Sequence, residues 1–123
     1  MRKTLVMMML MVALATGALA QTAARYRADL AGAGIGKSIW KYKIVDGEAQ
    51  GEFGVEAEDL RPLTAYKIVT AGRVFWVKTD TFGFFELDVR YLSNFPNIVD
   101  GTVITVRNTA GVVVLRGVYR RVA

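Results

Sequence analysis

The acidic residues that come closest to a catalytic pair are Glu86 and Asp88, which stand two residues apart in an alternating apolar and polar run. On a strand, such residues share a face and lie roughly 6.6 Å apart along the backbone. Glycoside hydrolysis requires two carboxylates about 5–10 Å apart in a cleft. Acids that alternate along a strand more often line a solvated face, and a chain of 123 residues leaves little room for a substrate groove. We therefore expect no enzymatic activity.

Metal and nucleophile chemistry is limited by the composition, because the chain has no histidine and no cysteine. Ser-His and Cys-His nucleophile pairs cannot be built without these residues, and zinc and copper lose their preferred ligands. Calcium requires several converging oxygens, whereas the acids at the predicted turns are scattered singly. We interpret them as turn-formers that bond nearby backbone; they are Asp46, Glu48, Asp80, Asp88 and Asp100. We expect no catalytic residue, no metal and no cofactor.

The glycine-rich run at residues 32–37 has a superficial likeness to a phosphate-binding loop. It lacks the spacing of either nucleotide motif, and no strand–helix–strand unit surrounds it. We interpret it as a flexible bend at which the chain changes sheets.

The aromatic residues concentrated between positions 73 and 91 are the feature most open to a functional interpretation. A strand there places Phe75 and Val77 on one face and Val74 and Trp76 on the other. Only one face of a sandwich strand meets the core, and an exposed second face edged by cations would bind a protein, a glycan or a second copy of the chain. The candidate partner surface comprises Phe75, Trp76, Lys78, Phe82, Phe84 and Arg90.

The alternative for this aromatic face is burial, because aromatic side chains mostly belong to cores. A loop such as residues 95–98 would then cover it. An open edge strand of the sheet is an alternative to the aromatic hairpin as the site that binds a partner.

The first twenty residues have the three parts of a secretory signal peptide. A positive start at Arg2 and Lys3 is followed by an apolar run over residues 5–15, and Ala18 and Ala20 are the small residues that a signal peptidase reads. We predict a signal helix that is cleaved between Ala20 and Gln21. The alternative is an uncleaved anchor, although the apolar stretch is shorter than the roughly 20 residues that span a bilayer.

Export and the absence of cysteine together indicate a bacterial periplasm, cell surface or extracellular location, since small secreted animal modules usually carry disulfides. The net charge is +5, and it falls to +3 when Arg2 and Lys3 are removed with the signal. This mild, dispersed charge excludes the dense basic stripe of a nucleic-acid reader. It allows a weak attraction to anionic envelope surfaces.

The rest of the chain has the period of strands rather than of helices. Residues 21–25 form a flexible start, and residues 26–121 form one domain of about seven or eight short antiparallel strands. The spacing of turn signals every 8–12 residues predicts an all-β sandwich. The expected strands are 26–32, 38–45, 51–58, 64–70, 73–79, 84–91, 102–107 and 112–120. The last of these is apolar on both faces at residues 112–115, so we expect a central strand covered on both sides.

Two motifs resemble known β-sandwich families. In residues 53–66, Leu60, Pro62, Thr64 and Tyr66 fill the pattern L-x-P-x-T-x-Y of immunoglobulin-like and fibronectin-like domains. The hairpin at residues 77–87 resembles the pattern T-D-x-x-G-x-F-x-L of transthyretin-like and carboxypeptidase-regulatory-like domains; the matching residues are Thr79, Asp80, Gly83, Phe85 and Leu87.

The region from Ala28 to Gly117 also resembles small exported β-sandwich modules of bacteria, which open on A-x-L-x-G and close on V-L-x-G. The resemblance implies a spacer, an adhesion unit or a binding platform. The sequence thus predicts an exported, non-catalytic β-sandwich that binds or adheres through its aromatic hairpin. The alternatives are a purely structural envelope component and a small outer-membrane β-barrel.

Overall fold

The computed structural model describes residues 20–122, so the predicted signal helix lies outside the described residues apart from its last position. The described chain is all-β and contains no helix, which confirms the predicted class. Its nine strands are β1 (Ala20–Gly32), β2 (Ile35–Val45), β3 (Glu48–Glu58), β4 (Ala65–Thr70), β5 (Arg73–Lys78), β6 (Phe85–Tyr91), β7 (Val103–Arg107), β8 (Val113–Val118) and β9 (Arg120–Arg121).

All strand pairs are antiparallel and belong to one sheet, in the order β5-β4-β7-β8-β1-β2-β3-β6, with β9 beside β1. The two terminal strands, β5 and β6, contact each other without a backbone ladder in the described part of the chain. The sheet is therefore nearly barrel-shaped rather than clearly a sandwich of two sheets. The reason is β1, which pairs with β2 along its length and with β8 and β9 on its other edge, and so joins the two halves.

The glycine-rich run has a different role from the predicted change of sheet. Ala33 and Gly34 form a tight turn between β1 and β2, which pair with each other from Ala31 and Ile35 onward. Gly32 has a φ of 150°, and a Cβ there would overlap the carbonyl oxygen of Val114. The glycine thus allows the hairpin to approach β8 closely, and the interpretation as a passage between sheets is wrong.

One strand boundary and one burial prediction also differ from expectation. β1 begins at Ala20 rather than at Tyr26, and it includes residues 21–25 in its pairing with β2. β8 lies centrally between β7 and β1, as the apolar pattern predicts. The expected cover on both faces is wrong, because Val112 and Val113 are 57% and 42% exposed.

The core is formed by the inward side chains of the alternating strands. Phe53 of β3 is buried and stacks on Phe75 of the terminal strand β5 with ring centroids 5.0 Å apart, so these two strands pack across the interior. Trp40 of β2 is buried beside Tyr91 and Phe95. The other fully covered apolar side chains include Leu30, Val55, Ile68, Ile104, Val106 and Leu115.

A polar cluster crosses this apolar interior. The Ser38 hydroxyl donates to the Gly54 carbonyl over 2.9 Å. Because its one proton is used in that bond, the Ser38 oxygen accepts the hydrogen bond from the Tyr119 hydroxyl. Thr70 lies beside Tyr119 and donates to the Val103 carbonyl over 3.0 Å. Burial raises the pKa of Tyr119 far above its usual range, while the hydrogen bonds oppose that rise. The phenol therefore keeps its proton at pH values at which an exposed tyrosine loses it.

We expect Tyr119→Phe to lower the free energy of unfolding by about 1 kcal/mol, because one buried hydrogen bond is lost and Ser38 keeps Gly54 as its partner. Ser38→Ala should cost more, about 1–3 kcal/mol, because it removes both the Ser38 oxygen from the phenol and the hydroxyl donor from the Gly54 carbonyl. Urea unfolding at neutral pH measures both. Tyr42→Phe is the matched control, since no hydrogen bond of the Tyr42 hydroxyl is found among residues 20–122. Equal losses in all three variants would contradict the role of the cluster.

The raised pKa of Tyr119 also predicts a loss of stability in alkali. Above about pH 10 the unfolded chain releases the tyrosine proton and the folded chain does not, so the free energy of unfolding falls as pH rises. Tyr119→Phe should make this fall shallower. Unfolding curves recorded across that pH range test the effect, and an unchanged slope would contradict it.

Candidate partner surface

The two faces of β5 have opposite environments. Phe75 and Val77 point inward and are half-buried against the core. Val74 and Trp76 point outward and are 53% and 59% exposed. The outward face is therefore a real apolar surface among the described residues, and Lys78 continues it at the end of the strand.

The covering loop that was the alternative does not lie on this face. Phe95 packs against Trp40 and Tyr42, with centroid distances of 6.4 and 5.5 Å, and Ile98 is buried in the core. The loop thus covers core rings of β2 and leaves Trp76 open to solvent.

Trp76 has a neighbouring cation. It lies opposite Lys67 in the β4–β5 ladder, and the Lys67 ammonium sits 5.8 Å from the centre of the indole ring. Such a cation–π contact contributes about 0.5–1 kcal/mol at an exposed site. The contact orients the indole on the surface without covering it.

The turn after β5 is held rigidly against the loop before β4. The Leu63 amide donates to the Asp80 carbonyl over 3.0 Å, and the Leu60 amide donates to the Gly83 carbonyl over 3.2 Å. Thr79 adds a third link, since its hydroxyl donates to the Arg61 carbonyl over 2.7 Å. We call the paired segments 59–64 and 79–84 the double loop.

The Asp80 carboxylate shapes the tip of the double loop. Its Oδ1 accepts the amides of Phe82 and Phe84 over 2.8 and 3.0 Å, which confirms its interpretation as a turn-former. Gly83 has a φ of 78°, and a Cβ there would overlap the Leu60 carbonyl oxygen. The turn therefore requires glycine, and it projects Phe82 outward.

The double loop exposes two large apolar side chains. Phe82 is 85% exposed and Leu63 is 60% exposed, the latter on a backbone with a φ of 52°. Leu63 did not appear in the sequence-based candidate set, although a leucine directly after Pro62 in a polar loop was a visible signal. We define the β5 surface as Val74, Trp76, Lys78, Phe82 and Leu63.

The six predicted residues do not form one cluster. Trp76, Lys78 and Phe82 belong to the β5 surface, whereas Phe75 packs on Phe53 in the core. Phe84 borders a shallow depression beside Ile35, Lys37 and Glu56. Arg90 lies on the outer face of β6 next to Glu52.

That outer face of β2, β3 and β6 is charged rather than apolar. Glu52 has three cations around it, with Lys43 at 2.7 Å, Lys41 at 3.8 Å and Arg90 at 4.0 Å. The pKa of Glu52 is lowered, chiefly by the hydrogen bond from Lys43. The partial burial of the Glu52 carboxylate opposes this shift. Lys37 pairs with Glu56 over 3.4 Å across the β2–β3 ladder.

The carboxylates first considered for catalysis lie on the same outer face. Glu86 stands opposite Glu56, and Asp88 stands opposite Gly54. Within residues 20–122, no group of three or more acidic, histidine or cysteine side chains is placed to hold a metal ion. The same part of the chain has no helix that could cross a membrane.

Comparison with known proteins gives no relative for this chain: no family model, curated protein or solved structure matches it. The resemblance to immunoglobulin-like and transthyretin-like domains thus stays a prediction beyond the all-β class.

The environment of Glu52 generates a pH prediction. Its lowered pKa means that the ion pairs stabilise the fold when the carboxylate is charged, and that this contribution is lost as pH falls through the acid range below about 4. We expect Glu52→Gln to lower the free energy of unfolding at neutral pH by up to about 1 kcal/mol, because the pairs are partly exposed. The difference from wild type should vanish in acid, as urea unfolding at several pH values will show.

Glu86→Gln is the matched control for this experiment. Glu86 has no ion pair in the described structure and faces Glu56, so its removal should leave stability unchanged or slightly raised. A loss equal to that of Glu52→Gln would contradict a specific role of the Glu52 cluster.

Proposed function

We propose that this protein is an exported, non-catalytic β domain that binds a component of the bacterial cell envelope through the β5 surface. The observation that carries the proposal is the exposure of Trp76 and Phe82 on rigid supports. An exposed apolar patch edged by polar or charged residues is typical of an interaction site.

Rigidity supports binding because a preorganised surface loses little conformational entropy when it meets a partner. The double loop is joined by backbone hydrogen bonds, and Asp80 holds the Phe82 turn from within. Tryptophan and other aromatic side chains supply most of the energy at many interfaces. Lys67 and Lys78 add positive charge at the rim, which suits a partner that carries acidic groups.

The partner is a protein or a glycan of the envelope, since both bind flat aromatic rings. The residues outside the predicted signal have a net charge of +3, which favours anionic envelope surfaces weakly. The finer assignment to an immunoglobulin-like or transthyretin-like module belongs to this proposal. It is supported by the turn at residues 79–84, where Asp80 and Gly83 act as the T-D-x-x-G pattern requires.

Binding to isolated bacterial envelopes tests the proposal. The purified protein is mixed with washed envelope fragments, and the fraction that sediments with them is measured across protein concentrations. We expect saturable co-sedimentation, and we expect the double variant Trp76→Ser with Phe82→Ser to weaken it by about tenfold or more, as for two interface anchors of 1 kcal/mol or more each.

Val112→Ser is the matched control, because Val112 is 57% exposed but lies in the turn before β8. This variant should bind as wild type does. Equal loss in both variants, or the absence of saturable binding, would contradict the proposal and favour the purely structural alternative.

A further inference from the structure

The outer face of β4, β5, β7 and β8 carries positive charge and no acidic residue. These four strands contain no aspartate or glutamate, and the cations at their outward positions are Lys67, Lys78, Arg107 and Arg116. Seven of the eleven acidic residues of the chain lie instead in β1, β3 and β6. We call the outer face of β4, β5, β7 and β8 the cationic face.

The chain does not neutralise the cationic face from within. None of its four cations has an ion pair among residues 20–122, and the ion pairs of this part of the chain all lie elsewhere. Asp80 follows Lys78 by two residues, but its Oδ1 accepts the amides of Phe82 and Phe84. The face therefore holds positive charge that suits an anionic partner.

The strand register places the cations in a row with Trp76. Lys67 of β4 stands opposite Trp76 of β5 on one side and opposite Arg107 of β7 on the other. Neighbouring strands lie about 4.8 Å apart, so this row across three strands is about 10 Å long. An extended polymer that crosses the strands would meet an aromatic ring and then two cations in succession.

Arg107 and Arg116 both lie next to Thr105. The Arg107 Nε donates to the Thr105 hydroxyl over 3.1 Å, and Arg116 is the partner of Thr105 in the β7–β8 ladder. Like charges on neighbouring strands repel one another, and a bound anion would remove that repulsion. Guanidinium groups suit this role because they bind carboxylate and phosphate oxygens through paired hydrogen bonds.

The shape and composition of the face favour a sugar polymer among the anionic components of an envelope. The sheet is nearly barrel-shaped, so its outer face is convex, and a flat bilayer would touch only part of the row. The centres of protein interfaces are depleted in lysine, whereas Lys67 lies in the middle of this row. A polysaccharide chain can follow a convex surface while its rings stack on tryptophan.

We propose that the cationic face binds an acidic polysaccharide, with a sugar ring on Trp76 and acidic groups of the polymer at Lys67, Arg107 and Arg116. This inference rests on the proposed function, because the β5 surface shares Trp76 and Lys78 with the cationic face, and it names the class of partner. The Lys67 ammonium lies 5.8 Å from the centre of the indole ring. A sugar on Trp76 thus has a cation beside it for its own acidic group.

Calorimetric titration of the purified protein with polygalacturonate, a chain of carboxylated hexoses, tests the inference. We expect saturable binding that weakens by about tenfold or more when the salt rises from about 0.05 M to about 0.5 M, because salt screens exposed charges. The highly methyl-esterified polymer is the matched ligand, since it keeps the sugar chain and loses most of the charge, and it should bind far more weakly. Equal binding of the two polymers, or no binding of either, would overturn the inference.

Charge-removing variants locate the binding face. Lys67→Gln with Arg116→Gln should weaken polygalacturonate binding by about tenfold or more, as for two lost charged contacts. Arg27→Gln with Arg120→Gln is the matched control, because it removes the same charge at arginines that pair with Asp29 and Asp100 within the chain. The control should change binding by less than about twofold. Equal losses in the two double variants would show that net charge alone is responsible and would overturn the inference.

Other partners and the proposed function are separated by the same variants. Tighter binding of phosphatidylglycerol vesicles or of poly-glutamate than of polygalacturonate would overturn the assignment to a sugar polymer. Envelope binding that depends on Trp76 and Phe82 but is unchanged by Lys67→Gln with Arg116→Gln would overturn this inference alone. Polygalacturonate binding without saturable binding to envelopes would contradict the proposed function alone.

Discussion

The satisfaction of backbone hydrogen bonds is the constraint on which the rest of this structure depends. A single hydrogen-bonded sheet runs from β5 through β1 to β6, so nearly every strand has a neighbour on both edges. The chain can follow this path only where backbones approach closely, as at Gly32 and Gly117, where a Cβ would overlap a neighbouring carbonyl or come against it. Within residues 20–122, the two terminal strands of this order are β5 and β6, and they lie next to each other.

This arrangement divides the surface into two chemically different regions. The outer faces of β2, β3 and β6 carry paired charges, because cross-strand lysine and glutamate side chains neutralise one another there. The outer face of β5 and the double loop instead carry Trp76, Phe82 and Leu63. On the outer faces of β2, β3 and β6, the charged side chains have partners within the chain. The outer face of β5 and the double loop expose apolar area that the chain does not cover.

The alternation of side chains made much of this predictable from the sequence. It predicted which side chains share a face of a strand, as for Phe75 with Val77 and Val74 with Trp76 in β5, because a period of two is a local property of a strand. The turn around Asp80 was predictable for the same reason, since its carboxylate binds amides only two and four residues away. The exposure of Trp76 followed once the inward face of β5 was known.

Contacts between residues that are far apart in the sequence were harder to predict. Ser38 and Tyr119 are 81 residues apart, and nothing local marks them as partners. The continuity of the sheet depends on β1, whose early residues lack a clear strand pattern but pair with β2. The candidate set was scattered for the same reason: Phe84 and Arg90 are near Trp76 in sequence, but the curvature of the sheet carries them to other surfaces.

The two tryptophans of the chain occupy opposite environments, and this gives the protein a built-in pair of optical probes. Trp40 is 3% exposed among core rings, so its emission reports the integrity of the interior. Trp76 is 59% exposed, so its emission reports what touches the surface. An event that changes only the longer-wavelength emission of the exposed Trp76 has left the interior around Trp40 intact. A single fluorescence spectrum therefore separates contact at the surface from disruption of the fold.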